Sequence, residues 1–532
     1  MGRPGSHYGA ETGGEAGSPR PGYPQGVDQG GSGFPRTYPQ PTHPQPGTYP
    51  QAVHNVPATP VEKAPPVGKR RRWPIFVAIT LVGLVLLGVA GWRIWIDGPK
   101  FASPSASQSA EVTPGPVLAR LSGSGAPSGG TLAQQLEPLV LGSDLGKKVS
   151  VSVVDLRTGQ VLYERDPANM VIPASNAKMV TAAAVLATRG PAYRITTRAV
   201  AGANPGEVVL IGAGDATLSA DGEGYYVGAA RLDHLAEQVK KALGDTKPTK
   251  VIFDGSLYSG PLLGPAWEAD AHEEGFTSKI TALMINGARV DTKDKMMPFD
   301  RYADPELAAA EAFAKALGLP ANAVARGTAP AASPSGASAA AAGVQLGAVQ
   351  SAPMLRQIEQ MMGESDNTLA EALARQVAIA KGKPASFEGA GEAVEQVLTE
   401  LGLPVGQFNL ADGAGYSTQN QLSPAVLTGL LTRAADGKHP ALADLFNVLP
   451  VAGWSGSMDY RFAKPDAAGG LGVVRAKSGT LRGVNSISGV VQTADGGLLA
   501  FAVLAENVPV WQYPAQDALD KIVARIATCG CG

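Results

Sequence analysis

The spacing of hydrophobic positions changes along the chain, and each change predicts a different element. Residues 148–155 alternate apolar and polar, a turn follows at Thr158-Gly159, and the alternation resumes over 160–164. This period of two predicts a β-hairpin. Residues 171–190, reading VIPASNAKMVTAAAVLATRG, are instead mostly small and apolar after Pro173, which predicts a helix buried on nearly all sides.

Further along, the same criteria predict a mixture of strands and helices. Strands are expected at 206–211, 250–254, from 473 onward, 484–491 and 498–504, and helices at 229–243, 305–317, 352–362, 368–380 and 514–528. Residues 321–343 are almost only Ala, Ser, Pro and Gly, which predicts a linker or a loosely packed surface excursion.

The first 130 residues follow a different pattern. Residues 1–72 are rich in Pro and Gly, and Tyr-Pro-Gln recurs at Tyr23, Tyr38 and Tyr49. Such a tail buries too little apolar surface to fold, so we expect disorder. The repeats suit either a docking tract for a cytoplasmic partner or a plain solvated tail.

A membrane anchor is predicted directly after this tail. Four basic residues at 69–72 precede an apolar run over 75–96, which is about one bilayer crossing in length. The basic flank places the N-terminus in the cytoplasm and everything after the anchor (73–96) outside. Residues 97–130, rich in Ser, Pro and Gly, would be a flexible spacer.

Composition excludes several classes of function. The 532 residues carry 44 Lys and Arg against 46 Asp and Glu, so the chain has no basic excess suited to nucleic acid. Its two cysteines, Cys529 and Cys531, form a terminal Cys-Gly-Cys that offers no zinc-type spacing. We therefore expect neither a metal nor a cofactor.

The buried helix carries the first chemical motif. Ser175 lies near its start and Lys178 follows three residues later, so hydroxyl and ammonium share one helix face. Burial depresses the pKa of a lysine, and a partly neutral amine can take a proton from an adjacent serine. The alternative is an ordinary helix-start serine.

Two further motifs lie downstream. Ser365-Asp366-Asn367 falls between two predicted helices, where three small polar groups can serve a proton relay and bind an amide; a simple helix cap is the alternative. On the strand at Lys477-Ser478-Gly479-Thr480, alternation places Ser478 and Thr480 on one face and Lys477 on the other. Gly479 permits close approach of a ligand or backbone. An exposed strand end is the alternative.

Ser-x-x-Lys, Ser-Asp-Asn and Lys-Ser-Gly, in this order, resemble the three-motif signature of the penicillin-recognising serine enzymes. The chain is more closely similar to the class C low-molecular-mass penicillin-binding proteins, the D-alanyl-D-alanine carboxypeptidase/endopeptidase family (peptidase family S13). The resemblance covers residues 132–528 and includes GAGDATL at 212–218, DGAGYST at 412–418 and LPVAGWSGS at 449–457.

This resemblance implies a reaction. Ser175 would be the acylated nucleophile and Lys178 its proton acceptor, with an oxyanion hole made by the backbone N–H groups of Ser175 and Thr480. The substrates would be peptidoglycan stem peptides ending in D-Ala-D-Ala, and β-lactams would be inhibitors that acylate Ser175.

It also implies roles for the other motif residues. Ser365 would pass a proton to the leaving group, and Asn367 would hold the substrate backbone. Lys477 would tune the electrostatics, while Ser478 and Thr480 would receive the terminal carboxylate. A β-lactamase remains an alternative enzyme, although no class A type Glu followed closely by Asn occurs between Ser365 and Lys477. A wall-binding scaffold of the same fold is the non-enzymatic alternative.

The expected architecture is α/β. A transpeptidase-like catalytic domain, with an antiparallel sheet flanked by helices and a helical subdomain, would comprise residues 131–194 and 349–528. Residues 195–348, called the insert below, would form an inserted mixed α/β domain ending in the Ala-rich linker.

Overall fold

The computed structural model describes residues 129–529, except 269, 295–298, 334–337 and 339–340. The predicted tail (1–72), the predicted anchor (73–96), all but the end of the spacer (97–130) and Cys531 lie outside the described residues. Among the helices that the structure does describe, none is both long and apolar enough to cross a bilayer.

Ten strands form two separate five-stranded sheets within the described residues. In chain order the strands are β1 Lys148–Asp155, β2 Val161–Arg165, β3 Thr196–Ala201, β4 Glu207–Ile211, β5 Lys250–Asp254, β6 Val324–Arg326, β7 Gln345–Gln350, β8 Val474–Leu481, β9 Val484–Gln492 and β10 Leu498–Glu506. The first sheet has the order β2-β1-β10-β9-β8, and the second has the order β6-β5-β4-β3-β7.

Helices surround these sheets. In chain order they are α1 Gly129–Val140, α2 Ala177–Arg189, α3 Leu232–Leu243, α4 Pro305–Leu317, α5 Met354–Glu364, α6 Asn367–Ala380, α7 Phe387–Glu400, α8 Pro424–Ala435, α9 Leu445–Val448 and α10 Gln512–Ala527. The mixed α/β class expected from the sequence is confirmed.

The first sheet is antiparallel throughout and separates two hydrophobic cores. Strand β1 pairs with β10 in a register that sets Lys148 opposite Glu506. Because side chains alternate along a strand, Val151 and Val153 face a core with α1 and α10. Ser152 faces the other way and hydrogen-bonds to Thr428 of α8 across 2.8 Å.

On that second face, α2 is the central helix. Every residue from Ala177 to Leu186 is buried, in contact with a core that includes α5, α6, α7 and α8. The prediction of a helix buried on nearly all sides is thus confirmed for this part of the helix. Such enclosure fixes the backbone at the helix start, where Ser175 lies.

The second sheet belongs to the insert and has its own core with α3 and α4. Strands β4, β5 and β6 pair in parallel, whereas β3 pairs antiparallel with both β4 and β7. Thr196 on β3 lies opposite Gln350 on β7, and Ile195 and Ser351 exchange hydrogen bonds. The chain therefore enters and leaves this sheet at neighbouring positions.

One prediction about the insert needs correction. Residues 321–343, expected to be a linker or a loosely packed surface excursion, contain β6, which pairs in parallel with β5. Strand β7 follows directly and was not predicted at all. Strand β6 has only three residues and β7 includes Gln, Gly and Ala, so pairing with neighbouring strands, rather than a hydrophobic pattern, makes them strands.

Candidate active site

Ser175 lies in a short 3₁₀ turn, Ala174–Asn176, that leads into α2. Strand β9 fixes this turn from below: the Ser486 hydroxyl donates to the Pro173 carbonyl at 2.7 Å and accepts from the Asn176 amide at 2.7 Å. Ala174 has a φ of 48°, a conformation that non-glycine residues rarely adopt. Tertiary contacts thus hold a strained turn immediately before the serine.

The Lys178 ammonium is the centre of the site. Its Nζ lies 3.2 Å from Ser175 Oγ, 2.6 Å from Asn367 Oδ1 and 2.6 Å from the carbonyl oxygen of Ala414. Burial lowers the pKa of Lys178 to about 8, although the carboxylates of Asp412 and two other acids oppose the shift.

This set of partners suits the neutral amine as well as the ammonium. A neutral amine has two N–H bonds and one lone pair. If the two N–H bonds stay on Asn367 and Ala414, the lone pair points at the Ser175 hydroxyl. The geometry is therefore that of a base directed at a serine.

The loop at 412–418 provides the Ala414 carbonyl. The Asp412 carboxylate accepts hydrogen bonds from the backbone N–H groups of Gly415, Tyr416 and Ser417 and from the side chains of Asn420 and Trp267. A Cβ on Gly415 would lie 1.9 Å from the Ala174 carbonyl oxygen, so only glycine fits. This loop, which carries the DGAGYST sequence of the family resemblance, packs directly against the serine turn.

Behind the same loop lies a buried acid that the sequence analysis missed. Glu371 accepts the Ala414 N–H at 2.8 Å and pairs with Arg375 at 3.1 Å. Burial and the nearby Asp412 raise the pKa of Glu371 to about 7. Glu371 therefore holds the N–H of the residue whose carbonyl accepts from Lys178, and Asp412 holds the Gly415 N–H of that carbonyl's own peptide unit.

The second motif forms the junction between α5 and α6. Ser365 has a left-handed φ of 56°, Asp366 caps α6 by accepting the Leu369 N–H at 3.0 Å, and Asn367 is the first residue of that helix rather than a loop residue. Asn367 Oδ1 meets Lys178 while its Nδ2 donates to the Phe276 carbonyl at 3.0 Å.

The third motif lies on β8, at the edge of the first sheet. The Ala476 N–H donates to the Pro450 carbonyl at 2.9 Å, away from β9. Since backbone direction repeats every two residues, the N–H groups of Ser478 and Thr480 point to the same outer edge. Gly479 faces the serine turn, where an added Cβ would lie 2.9 Å from Ala174 Cβ.

As predicted, the side chains of this motif alternate between the two faces of β8. The hydroxyl of Thr480 has partners on other elements. It is hydrogen-bonded to Asn485 and Gln516, both at 3.3 Å, the latter on α10. The backbone N–H of Thr480, rather than its hydroxyl, is therefore the group presented at the sheet edge. The Ser478 side chain is half-buried.

Lys477 is buried and donates to the Ser478 carbonyl at 2.6 Å. Burial, the Lys178 ammonium and the Arg461 guanidinium hold the pKa of Lys477 well below its ordinary value. Arg461 itself is paired with Asp520 at 2.6 Å and 3.1 Å. The positive charges of Lys178 and Arg461 thus disfavour a further positive charge at Lys477 and would stabilise an anionic group nearby.

The structure thus joins Ser175, Lys178 and Asn367 by hydrogen bonds, sets Lys477 within the electrostatic reach of Lys178, and packs Gly479 on the serine turn. Among the described residues, the acids close enough to share a cation are exposed: Glu268, Asp270 and Glu274. None of the predicted site residues belongs to that group.

Comparisons with known proteins agree on one family. The sequence pattern of the D-Ala-D-Ala carboxypeptidase 3 (S13) family matches residues 132–314 and 299–528. The chain is 36% identical over 475 residues to carboxypeptidase DacB of Mycolicibacterium smegmatis, covering 88% of this chain and 99% of that protein. It is 38% identical over 413 residues to carboxypeptidase Rv3627c of Mycobacterium tuberculosis, covering 76% and 85%.

A solved structure shares the fold. The crystal structure of penicillin binding protein 4 (dacB) from Haemophilus influenzae matches with a TM-score of 0.58 and 20% identity, covering 75% of this chain and 98% of that one.

Proposed function

The chain belongs to the D-Ala-D-Ala carboxypeptidase 3 (S13) family, and from that premise we infer that it is a serine-type D-Ala-D-Ala carboxypeptidase acting on peptidoglycan stem peptides. The family expected from the three motifs is confirmed. In this chain, the observation that carries the assignment is the contact of Lys178 Nζ with Ser175 Oγ at 3.2 Å, made by a buried lysine.

In the first half of the reaction we assign the attack to Ser175. Its oxygen bonds to the carbonyl carbon of the penultimate D-alanine while Lys178 takes the hydroxyl proton. With a pKa of about 8, roughly a tenth of Lys178 is neutral at pH 7, which suits a general base. The backbone N–H groups of Ser175 and Thr480 would stabilise the negative oxygen of the tetrahedral intermediate.

Collapse of that intermediate breaks the C–N bond. Ser365 would relay a proton to the departing amine of the terminal D-alanine, which leaves as a free amino acid. Water then attacks the ester, with Lys178 again as proton acceptor, and releases the shortened stem peptide and Ser175. Asn367 would bind the peptide backbone, and the Ser478 hydroxyl would receive the terminal carboxylate, while Lys477 on the opposite face of β8 would tune the electrostatics of the site.

β-Lactams would follow the first half of this path and stay on Ser175. The test is intact-mass analysis of the purified full-length chain with benzylpenicillin, beside a Ser175→Ala variant. A persistent one-to-one adduct on the wild type alone is expected. Absence of an adduct on folded wild type would overturn the assignment in favour of a wall-binding scaffold, and rapid loss of the adduct would indicate a β-lactamase.

The same acyl-enzyme chemistry extends to cross-links whose scissile bond follows a D-alanine. Incubation with a cross-linked dimeric stem peptide, beside a linear pentapeptide, measures whether the chain also acts as an endopeptidase. Release of monomers from the dimer would establish that second activity.

We also propose where this enzyme works. The basic flank and apolar run at 69–96 support a single-pass anchor with a cytoplasmic tail over 1–72, a spacer over 97–130 and an extracytoplasmic catalytic domain (131–194 and 349–528) interrupted by the insert. Protease treatment of intact cells is expected to remove the catalytic domain and spare the tail. Protection of the catalytic domain would contradict this topology.

A further inference from the structure

Side chains of the insert surround the second motif. Tyr226 and Arg289 of the insert contact Asp366, the residue between Ser365 and Asn367. Asp366 Oδ2 accepts from the Tyr226 hydroxyl at 2.6 Å and from Arg289 Nη2 at 2.9 Å. Arg289 Nη1 also donates to the Tyr226 oxygen at 2.7 Å. We call these three residues the clamp.

The clamp is buried and closed. Arg289 and Asp366 have side chains only 2% and 1% exposed, and Tyr226 is 4% exposed. Although burial acts in the opposite direction, Arg289 and Arg301 hold the pKa of Asp366 well below its usual range. Asp366 is therefore a carboxylate with both oxygens used, since its Oδ1 caps α6.

Other parts of the insert keep the clamp in place. The Arg289 guanidinium lies over the rings of Tyr225 and Phe299, 3.8 Å and 4.3 Å from their centroids. The Phe276 carbonyl accepts the Nδ2 hydrogen of Asn367 at 3.0 Å. The insert thus holds both residues that follow Ser365, at positions 366 and 367.

These contacts bear on the chemistry because Ser365 and Asn367, the two ends of the second motif, both have proposed roles in the reaction. Ser365 has a left-handed backbone conformation that a serine adopts only when its surroundings require it. Asn367 Oδ1 accepts a hydrogen bond from Lys178 Nζ at 2.6 Å. We propose that Tyr226 and Arg289 are positioning residues for acylation: through Asp366 they hold the backbone of Ser365 and set Asn367 against Lys178. The insert is then part of the catalytic apparatus, an inference that rests on the proposed function.

The experiment compares two adjacent tyrosines in the full-length chain. Tyr226→Phe removes the clamp hydroxyl and leaves the ring; Tyr225→Phe removes a hydroxyl that binds the exposed Glu364 at 2.7 Å. We expect the acylation rate constant for saturating benzylpenicillin to fall about 10–100-fold in Tyr226→Phe and less than about threefold in Tyr225→Phe. Arg289→Lys, which keeps a cation, should fall between these values. Thermal unfolding of each variant reports whether it is folded.

A double-mutant cycle separates positioning from general support. If the clamp acts through the second motif, Tyr226→Phe should lower the acylation rate constant by less than about threefold in an Asn367→Ala background. Acylation in this background is followed by intact-mass analysis over hours. The same fold loss in both backgrounds, or unchanged acylation in folded Tyr226→Phe, would overturn the proposal. Failure of the wild type to acylate would instead refute the proposed function.

Discussion

The side-chain oxygen of Asn367 accepts a hydrogen bond from Lys178 across 2.6 Å, which joins the second motif to the first over 189 positions of sequence. A second acceptor, the Ala414 carbonyl, lies at the same distance from the lysine nitrogen. With these two acceptors in place, the remaining N–H bond or lone pair of Lys178 Nζ is directed toward Ser175. Residues outside the Ser-x-x-Lys motif consequently set both the pKa of Lys178 and the orientation of its amine.

The pH dependence of acylation should follow Lys178. Its pKa is about 8, and the neutral amine is the reactive form in the proposed mechanism. The rate constant for acylation by benzylpenicillin is therefore expected to rise about tenfold per pH unit below pH 8 and to level off above it. Stopped-flow measurements between pH 5.5 and 9.5 check this; a rate that is flat from pH 6 to 8 would exclude Lys178 as the base.

Asn367→Asp should shift the pH dependence of acylation to higher pH. The substitution keeps an oxygen near Lys178 but adds a negative charge, which stabilises the ammonium and raises the pKa of Lys178 above about 8. Acylation at pH 7 should fall at least about tenfold, with part of the loss recovered at pH 9.5. An equal loss at every pH would mean that the lost hydrogen bond to Phe276, rather than charge, is responsible.

Gly479→Ala should separate β8 from the serine turn. The added Cβ would lie 2.5 Å from Ser486 Oγ and 2.9 Å from both Ala174 Cβ and the Pro173 carbonyl oxygen. We expect acylation to fall about 100-fold and the free energy of unfolding to fall by about 1–3 kcal/mol. Gly130→Ala, where an added Cβ meets nothing within 4 Å, is the matched control. Wild-type acylation in the Gly479 variant would show that this contact does not position the site.

Glu371→Gln should change how stability depends on pH. Burial first, and Asp412 second, raise the folded-state pKa of Glu371 to about 7 from an ordinary 4.5. The folded state therefore binds more protons between these values, and this group costs up to about 3 kcal/mol of stability as pH rises from 4.5 to 7.

Glutamine does not ionise and keeps an oxygen for the Ala414 N–H. Denaturant unfolding at pH 5 and pH 7 should thus show a smaller loss of stability over this range in the variant. Glu388→Gln, at an exposed position in α7, should leave the wild-type slope unchanged. An identical slope in Glu371→Gln would contradict the assigned pKa.

Patterns within one element were readable from the sequence. Helical spacing puts Ser175 and Lys178 on one face, and strand alternation puts Lys477 opposite Ser478 and Thr480, because both periodicities follow from backbone geometry alone. The boundaries predicted for the strand at 250–254 and the helix at 305–317 match the structure for the same reason.

Partners from distant elements were not readable. Glu371, Arg289 and Tyr226 carry no local pattern that marks them, and their burial beside motif residues depends on how the insert and α6 pack. The hydroxyl of Thr480 was expected at the substrate, yet Gln516 of α10 binds it, 36 positions away.

By itself, then, the sequence determined the motifs, most elements, and through its resemblance the family, since each depends on residue types at short, regular spacing. Only the tertiary structure decided what surrounds Lys178: Ala414 and Asn367 reach it from 236 and 189 positions away. Such contacts arise from the packing of whole elements, which local spacing does not encode. The lysine of the first motif gains its depressed pKa and its direction from that packing.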